Sequence, residues 1–328
     1  MQTRLTKMLN IEHPIMLAGM GGVSYSALVA AVSEAGGFGC LGASTMSGEQ
    51  MVSEMRAVRS LTEKPFGVDL LTAMPGDLIS QVQKIIDEGA SVFVAGLGVP
   101  EKVISLCHEH GVLVASMCGK VRHAVRAVDA GCDIVVAQGT EAGGHTGLVA
   151  TMPLVPQVVD AVGAEAPVVA AGGIFDGRGL AAALVLGAAG AWVGTRFVAT
   201  IEARSVSGYK DRILAAAEDA TTITRAYSGK PMRVISNDYT ARYDADLGQI
   251  EPFPAQLMKS IESAALHLGG DETTAGVNVD EECYPAGQGA GAVKDLPAAS
   301  TVVITMAAEA KSILENMGRI AATEVLDK

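Results

Sequence analysis

Aromatic residues, apolar membrane-length runs and basic clusters are all scarce in this sequence. Phe, Trp and Tyr make up 4% of the 328 residues, although 49% are hydrophobic, so the core has to be built from aliphatic side chains. No apolar run is long enough to cross a bilayer, and the N-terminal stretch lacks the apolar region of a signal peptide. These absences predict a soluble protein without a membrane partner, and we expect it in the cytoplasm.

The cysteines show no pairing pattern. Cys40, Cys107, Cys118, Cys132 and Cys283 are dispersed and include no C-x-x-C pair. This spacing argues against an iron–sulfur cluster or a structural zinc site. The odd number suits a reducing compartment. Because no histidine shares a metal-ligand spacing with a neighbouring carboxylate, no metal site is predicted.

The charge balance restricts the class of partner. The formal net charge is -12, and no run of Lys or Arg stands out. An acidic chain of this kind is not expected to bind nucleic acid or an anionic membrane. The expected partner is a small-molecule substrate. The sequence does not determine the oligomeric state, and a homodimer is compatible with it.

Short apolar runs that end in Gly or a polar residue recur along the first two thirds of the chain. They are residues 14–19, 38–42, 65–69, 91–95, 111–116, 133–138, 167–172 and 191–194. Their ends lie roughly 20 to 35 residues apart, which fits one strand–helix unit each. Eight such units predict an α/β fold, a (β/α)8 TIM barrel. A doubly wound sheet is the alternative, but it is disfavoured because no early G-x-G-x-x-G is present.

The regular pattern stops near residue 200. Segment 201–299 mixes short helical stretches with polar, Gly-rich tracts at 269–276 and 284–291. We interpret 201–299 as a smaller, mostly helical second domain, inserted late in the chain over the active-site face. The last stretch predicts one helix that returns to the barrel, so the barrel comprises residues 1–200 and 300–328.

The stretch 137–147, which follows the sixth predicted strand, is the candidate functional centre. It holds four glycines within nine residues, so a backbone there can approach a flat or anionic ligand closely. Gln138 and Glu141 supply polar groups, and His145 supplies a titratable ring. The alternative interpretation is a Gly-rich turn whose histidine is merely solvated.

Glycines also follow the seventh and eighth predicted strands. They are Gly172, Gly173 and Gly194, the last of which precedes Thr195. Loops at these two places in a TIM barrel often hold a phosphate through exposed backbone N–H groups. Small residues admit the anion, and the Thr195 hydroxyl adds a donor. The alternative is that these glycines only permit close helix–strand packing.

Two further candidates lie at the ends of the first and third strands. The run Gly19-Met20-Gly21-Gly22 offers backbone donors and a thioether that could lie against a ring system. Asp69 ends the third strand. Met20 could instead fill the core, and Asp69 could instead cap a loop.

Several of these motifs resemble a known family. Residues 138–145, 171–179 and 194–197 are similar to the nitronate monooxygenase (2-nitropropane dioxygenase) family, which also contains the flavin-dependent enoyl-ACP reductases. The likeness extends to 13–20, 33–37 and 61–67 and covers about residues 1–200 well. These motifs are specific to the family and separate its branches poorly.

The resemblance implies a TIM barrel that holds FMN non-covalently. His145 would face the substrate side of the flavin as the catalytic residue. Relatives usually carry Asn where this chain has Asp69, which puts contact by that residue in question. The implied FMN contacts are Gly19, Met20, Asp69, Gln138, Gly143, Gly144, Gly172, Gly173, Gly194 and Thr195.

Two oxidoreductase reactions are compatible with this set of residues. In the first, a nitronate or nitroalkane is oxidised with O2, and His145 acts as base or hydrogen-bond partner. In the second, NADH or NADPH supplies electrons for reduction of an enoyl-ACP or enoyl-CoA thioester. The tracts 151–156 and 284–291 resemble the reductases, whereas Gln138 resembles the monooxygenases. A non-catalytic flavin-binding barrel is the remaining alternative.

Overall fold

A closed parallel barrel forms the larger part of the molecule. The computed structural model describes residues 1–72, 76–96, 98 and 100–326. Its strands are β1 (Ile15–Leu17), β2 (Gly39–Gly42), β3 (Phe66–Leu71), β4 (Val92–Gly96), β5 (Leu113–Cys118), β6 (Ile134–Gln138), β7 (Gly144–His145), β8 (Val168–Ala171), β9 (Gly190–Val193), β10 (Thr221–Thr224) and β11 (Met232–Ile235). The eight runs predicted from the sequence correspond to β1–β6, β8 and β9.

The helices alternate with the barrel strands until β9. They are α1 (Arg4–Leu9), α2 (Ser26–Glu34), α3 (Gly48–Leu61), α4 (Leu78–Asp87), α5 (Glu101–Glu109), α6 (Val121–Asp129), α7 (Thr151–Val162), α8 (Gly177–Val185), α9 (Thr195–Val198), α10 (Tyr209–Ala215), α11 (Asp238–Ala245), α12 (Ala255–Glu262) and α13 (Ala299–Leu326). Within these ranges, no helix combines the length and the apolar character needed to cross a membrane.

The eight-stranded sheet has the order β1-β9-β8-β6-β5-β4-β3-β2, and each neighbouring pair is parallel. A parallel bridge between Met16 and Phe38 joins the two ends of this order and closes the barrel. The predicted (β/α)8 TIM barrel is therefore confirmed. Its closure aligns the carboxyl ends of all eight strands at one rim.

Alternate residues of each strand pack on opposite sides of the sheet. In β1, Ile15 and Leu17 face the surrounding helices, whereas Met16 belongs to the cluster inside the barrel. Trp192 and Phe38 supply aromatic bulk to that interior cluster. The interior is thus filled by side chains, and a ligand can enter only at the rim.

Segment 201–299 contains more than helices. Strands β10 and β11 pair antiparallel, and β11 also pairs with β7 of the barrel loop. The sequence pattern predicted mostly helix and missed these two strands. Both are four residues long, and β10 consists of threonines and one isoleucine, so neither shows a clear apolar period.

Helix α13 returns to the barrel and packs between α8 and α2. Its residues Val302, Val303, Met306 and Ala310 are buried in the main core. This location is the one left for an eighth outer helix. Residues 327–328, which the predicted barrel range included, lie outside the described part of the chain.

We expect Met306→Ala to destabilise the protein by about 2–5 kcal/mol, because it leaves a cavity between α13 and the barrel. Ile304→Ala is the matched control, since Ile304 lies two residues away on the same helix and is 54% exposed. Urea unfolding would measure both. Equal losses for the two variants would contradict the packing of α13 described here.

Candidate active site

One large cavity opens at the carboxyl ends of the barrel strands. Its volume is about 1000 Å³, and it lies between the strand ends and residues of segment 201–299. All eleven residues proposed from the sequence line it: Gly19, Met20, Asp69, Gln138, Gly143, Gly144, His145, Gly172, Gly173, Gly194 and Thr195. The residues proposed from the sequence therefore lie together around one cavity, and their roles stay predictions.

Gly172 and Gly173 follow β8 in a conformation that requires glycine. Their φ angles are +106° and +71°, in the left-handed region that other residues rarely adopt. A Cβ on Gly172 would also lie 2.8 Å from the Thr151 Oγ1 atom. This turn exposes backbone groups to the cavity, and any side chain there would strain the protein itself.

Gly194 differs from that pair. A Cβ placed on it would meet only the Met20 Sδ at 3.4 Å and the Ala18 Cβ at 3.5 Å, which are ordinary contacts. The next residue, Thr195, accepts a 2.9 Å hydrogen bond from the Gly287 N–H through its hydroxyl oxygen. The protein alone does not require glycine at 194, so the free space there faces the cavity.

Asp69 is buried against the first strand. A Cβ on Gly19 would lie 2.2 Å from the Asp69 Cβ, so this glycine makes room for the acid. Among the described residues no donor reaches the Asp69 carboxyl group. Burial without a partner raises the pKa of Asp69 to about 8. The carboxyl is therefore protonated at neutral pH, and like the amide of Asn it can then donate a hydrogen bond.

His145 is held by groups from both segments of the chain. Gln138 Nε2 donates a 2.9 Å hydrogen bond to the His145 carbonyl oxygen. His145 pairs with Met232 in the β7–β11 ladder. Its Nε2 lies 3.0 Å from the Ser228 Oγ. The backbone and one ring nitrogen are thus both anchored.

The imidazole is kept neutral. Burial lowers the pKa of His145, and the positive charge of Lys230 lowers it further. The Lys230 ammonium itself lies 4.0 Å from the centre of the Phe253 ring. A neutral imidazole can accept a proton, or can donate one N–H hydrogen bond to a carbonyl oxygen.

Glu141 takes no part in the cavity wall. Its Oε2 accepts hydrogen bonds of 2.8 Å from both the backbone N–H and the hydroxyl of Thr151, at the start of α7. The sequence pattern grouped Glu141 with Gln138 as a site residue. The structure instead uses it to tie the loop to α7.

Several wall residues were not found from the sequence. Ser228 and Lys230 come from segment 201–299 and reach His145 only through the β7–β11 pairing. Thr45 has a buried hydroxyl without a hydrogen-bond partner, and it lines the same cavity. No local motif marks these residues, because their role depends on distant partners.

Charged residues also line the cavity. Lys120, His123 and Arg126 of the α6 region face it on one side. On the other side the buried Glu282 accepts a 2.6 Å hydrogen bond from His267 Nδ1. Within the described chain, no cluster of three or more His, Cys, Asp or Glu side chains could hold a metal ion.

The fold and the cavity together define a TIM-barrel enzyme with a neutral imidazole at the strand ends. The nitronate monooxygenase family model matches residues 2–78 and 72–309. The chain belongs to the nitronate monooxygenase family and is an oxidoreductase. The resemblance seen in the sequence motifs is confirmed.

Three similar proteins show the range of the family. The chain is 40% identical over 246 residues (75% of this chain, 69% of the relative) to the (3aS,4S,5R,7aS)-5-hydroxy-7a-methyl-1-oxo-octahydro-1H-indene-4-carboxyl-CoA dehydrogenase of Mycobacterium tuberculosis. It is 35% identical over 320 residues (83% and 90%) to a probable nitronate monooxygenase of Staphylococcus aureus. The solved structure of FabK from Thermotoga maritima superposes with a TM-score of 0.87, at 33% identity, over 98% of this chain and 99% of that one.

We expect Asp69→Asn to stabilise the ligand-free protein by roughly 2–5 kcal/mol near pH 8. The folded carboxyl keeps a proton up to about pH 8, whereas the unfolded chain releases it near 3.8. The free energy of unfolding therefore falls as the pH rises between these values, and Asn removes that loss.

Urea unfolding of the parent and of Asp69→Asn across this pH range measures the effect. Asp244→Asn, on the exposed surface, is the control and should leave the profile unchanged. A variant no more stable than the parent near pH 8 would show that Asp69 is ionised in the folded protein.

Proposed function

We propose that this chain is an FMN-dependent oxidoreductase that reduces an α,β-unsaturated acyl thioester with electrons from NADH or NADPH. The cavity volume carries the proposal. Ligand pockets usually span about 300–1,000 Å³ for one drug-sized molecule. At about 1000 Å³, this cavity lies at the upper end of that range, which favours a substantial ligand beside a flavin over a small nitroalkane.

The wall residues suit FMN. Gly172 and Gly173 expose backbone N–H groups where a phosphate would be held, and the space at Gly194 lies opposite Met20. Gly144 has no atom within 4 Å of its Cβ position, so a flat ring can approach it. FMN, when bound, supplies the chemistry of electron transfer.

The role of His145 follows from its neutral state. Its Nε2 is engaged with Ser228, so the rest of the ring is presented to the cavity. In the thioester reaction the imidazole would hold the thioester carbonyl oxygen through a hydrogen bond, as neutral histidines do for other carbonyl substrates. Gln138 would position His145 by holding its carbonyl oxygen.

Nitronate or nitroalkane oxidation is the second candidate. The lowered pKa of His145 favours it, because a neutral imidazole can remove the acidic proton beside a nitro group. The relative from Staphylococcus aureus carries the name of this activity. Against it, a small nitroalkane would leave much of the cavity unused. The 40% identical relative from Mycobacterium tuberculosis carries the name of a carboxyl-CoA dehydrogenase, which favours a thioester.

The division into domains is part of the same proposal. Residues 1–200 and 300–328 would form the FMN-binding barrel, and 201–299 would form the smaller domain over the active-site face. Hydrogen bonds from Gly287 to Thr195 and the β7–β11 pairing support this arrangement, since both bring the second segment to the cavity.

We expect Gly194→Ala to bind FMN at least about tenfold more weakly while the ligand-free fold is kept. The protein accommodates the added methyl group, so a bound phosphate or ring is what it would displace. Flavin absorbance per protein after gel filtration measures retention, and circular dichroism checks the fold. Gly318→Ala, in open space on α13, is the control. Parental FMN content in Gly194→Ala would place the cofactor elsewhere.

We expect His145→Ala to retain FMN and to lose about 10²-fold or more in thioester reduction, because one preorganised hydrogen-bond donor is removed. Anaerobic bleaching of the flavin by NADPH should survive. His110→Ala, on the exposed end of α5, is the control.

Running the same variants with a nitroalkane and its preformed nitronate separates the two candidates. If the parent turns over only these nitro compounds, and His145→Ala loses the nitroalkane reaction more than the nitronate reaction, the second candidate replaces the first. Parental rates for His145→Ala on every substrate would remove this residue from the mechanism.

A further inference from the structure

The cavity wall carries more cationic than anionic side chains, although the protein is acidic. The described wall residues include three cations, Lys120, Arg126 and Lys230, and only two carboxyl groups, those of Asp69 and Glu282. Asp69 is protonated at neutral pH, and the Glu282 carboxylate accepts a hydrogen bond from His267. The formal net charge of the chain is -12, so the cavity opposes the sign of the whole molecule. An anionic ligand would be attracted to it.

Two of these cations, Lys120 and Arg126, come from α6 and its N-cap, whereas the third, Lys230, lies near His145. Lys120, His123 and Arg126 form what we call the basic rim. They lie three residues apart, from the N-cap of α6 at Lys120 to the last turn of the helix at Arg126. Residues three apart on a helix are neighbours on its surface, so each consecutive pair of the rim is adjacent. All three residues line the cavity.

The rim cations have no partners within the protein. Among the described residues, neither Lys120 nor Arg126 makes a side-chain hydrogen bond or an ion pair. Other arginines do, for example Arg56 with Glu88 and Arg196 with Asp295. Burial and the nearby charges of Arg122, Lys120 and Arg126 together lower the pKa of His123. Among the described residues, no carboxylate is therefore paired with Lys120 or Arg126.

Two glycines in contact with each other lie between the basic rim and His145. Gly147 lies two residues beyond His145, and its Cα is 3.5 Å from the Cβ position of Gly119, which precedes Lys120. From these contacts and the fixed Cα spacing, the Cα atoms of His145 and Lys120 are no more than about 17 Å apart. A narrow chain can therefore pass between them along exposed backbone.

These features match one class of substrate. In a coenzyme A thioester, the arm between sulfur and diphosphate is an amide chain about as long as four extended residues, roughly 14 Å. With the thioester at His145, the phosphates would reach the rim. We propose that Lys120 and Arg126 bind the phosphates of a coenzyme A thioester substrate. This inference rests on the thioester reaction proposed above.

The test combines a protein change with a substrate change. Lys120→Gln/Arg126→Gln would be compared with the parent on crotonyl-CoA and on crotonyl-pantetheine, which lacks the phosphates. We expect kcat/KM for crotonyl-CoA to fall about tenfold, since exposed ion pairs are individually weak. We expect the value for crotonyl-pantetheine to stay unchanged. Lys102→Gln, an exposed lysine on α5 outside the cavity wall, is the control.

A binding measurement with free coenzyme A tests the phosphate site independently of the reaction. Calorimetry with free coenzyme A should show a Kd about tenfold higher in the double variant than in the parent. In the parent, the preference for crotonyl-CoA over crotonyl-pantetheine should also weaken with added salt. In the double variant this preference should not depend on salt.

Three results would overturn the proposal. They are equal losses for the two thioesters, no loss for either, or a loss confined to KM for NADPH, which would assign the rim to the nucleotide. If the parent reduces neither thioester, the proposed reaction fails, and the calorimetry still decides whether the rim binds coenzyme A.

Discussion

The short antiparallel pairing between β7 and β11 is the contact on which the candidate site depends. It joins Gly144–His145, in the loop after the sixth strand, to Met232 and Arg233 of the second segment. The same pairing brings Ser228 to the ring and Lys230 near it. Arg233 strengthens the junction, because its Nε donates a 3.0 Å hydrogen bond to the Thr140 carbonyl oxygen. Without this pairing His145 would be an ordinary loop histidine.

Burial suppresses charge on two side chains of the candidate site. Asp69 holds its proton and His145 stays without one, and in both cases removal from water is the main physical cause. Among the described residues, the cations that line the cavity are Lys120, Arg126 and Lys230. The cavity thus combines two uncharged titratable side chains with a cationic wall. Such an arrangement can draw in an anionic substrate while presenting neutral groups to its reactive part.

Glycines shape this cavity in two different ways. Gly172 and Gly19 are required by the protein, the first by its positive φ and the second by the Asp69 side chain. Gly194 is required neither by a packing contact nor by a positive φ, and the space beside it faces the cavity. Gly144 also has open space at its Cβ position, but its φ of +74° favours glycine by itself. Only a glycine such as Gly194 carries information about what the cavity binds.

The sequence by itself determined the barrel, because each strand–helix unit carries a local apolar pattern with a glycine or polar stop. It also determined the cavity floor, since residues that follow parallel strands, such as His145 and Gly172, must meet at one rim. Tertiary structure alone decided the rest. The strands β10 and β11 have no clear period, and β11 pairs with the two-residue strand β7, which is far from it in the sequence. The protonation of Asp69, the contacts of His145 with Ser228, and the link from His145 to Lys120 through Gly147 and Gly119 all depend on distances between remote residues, which no local pattern encodes.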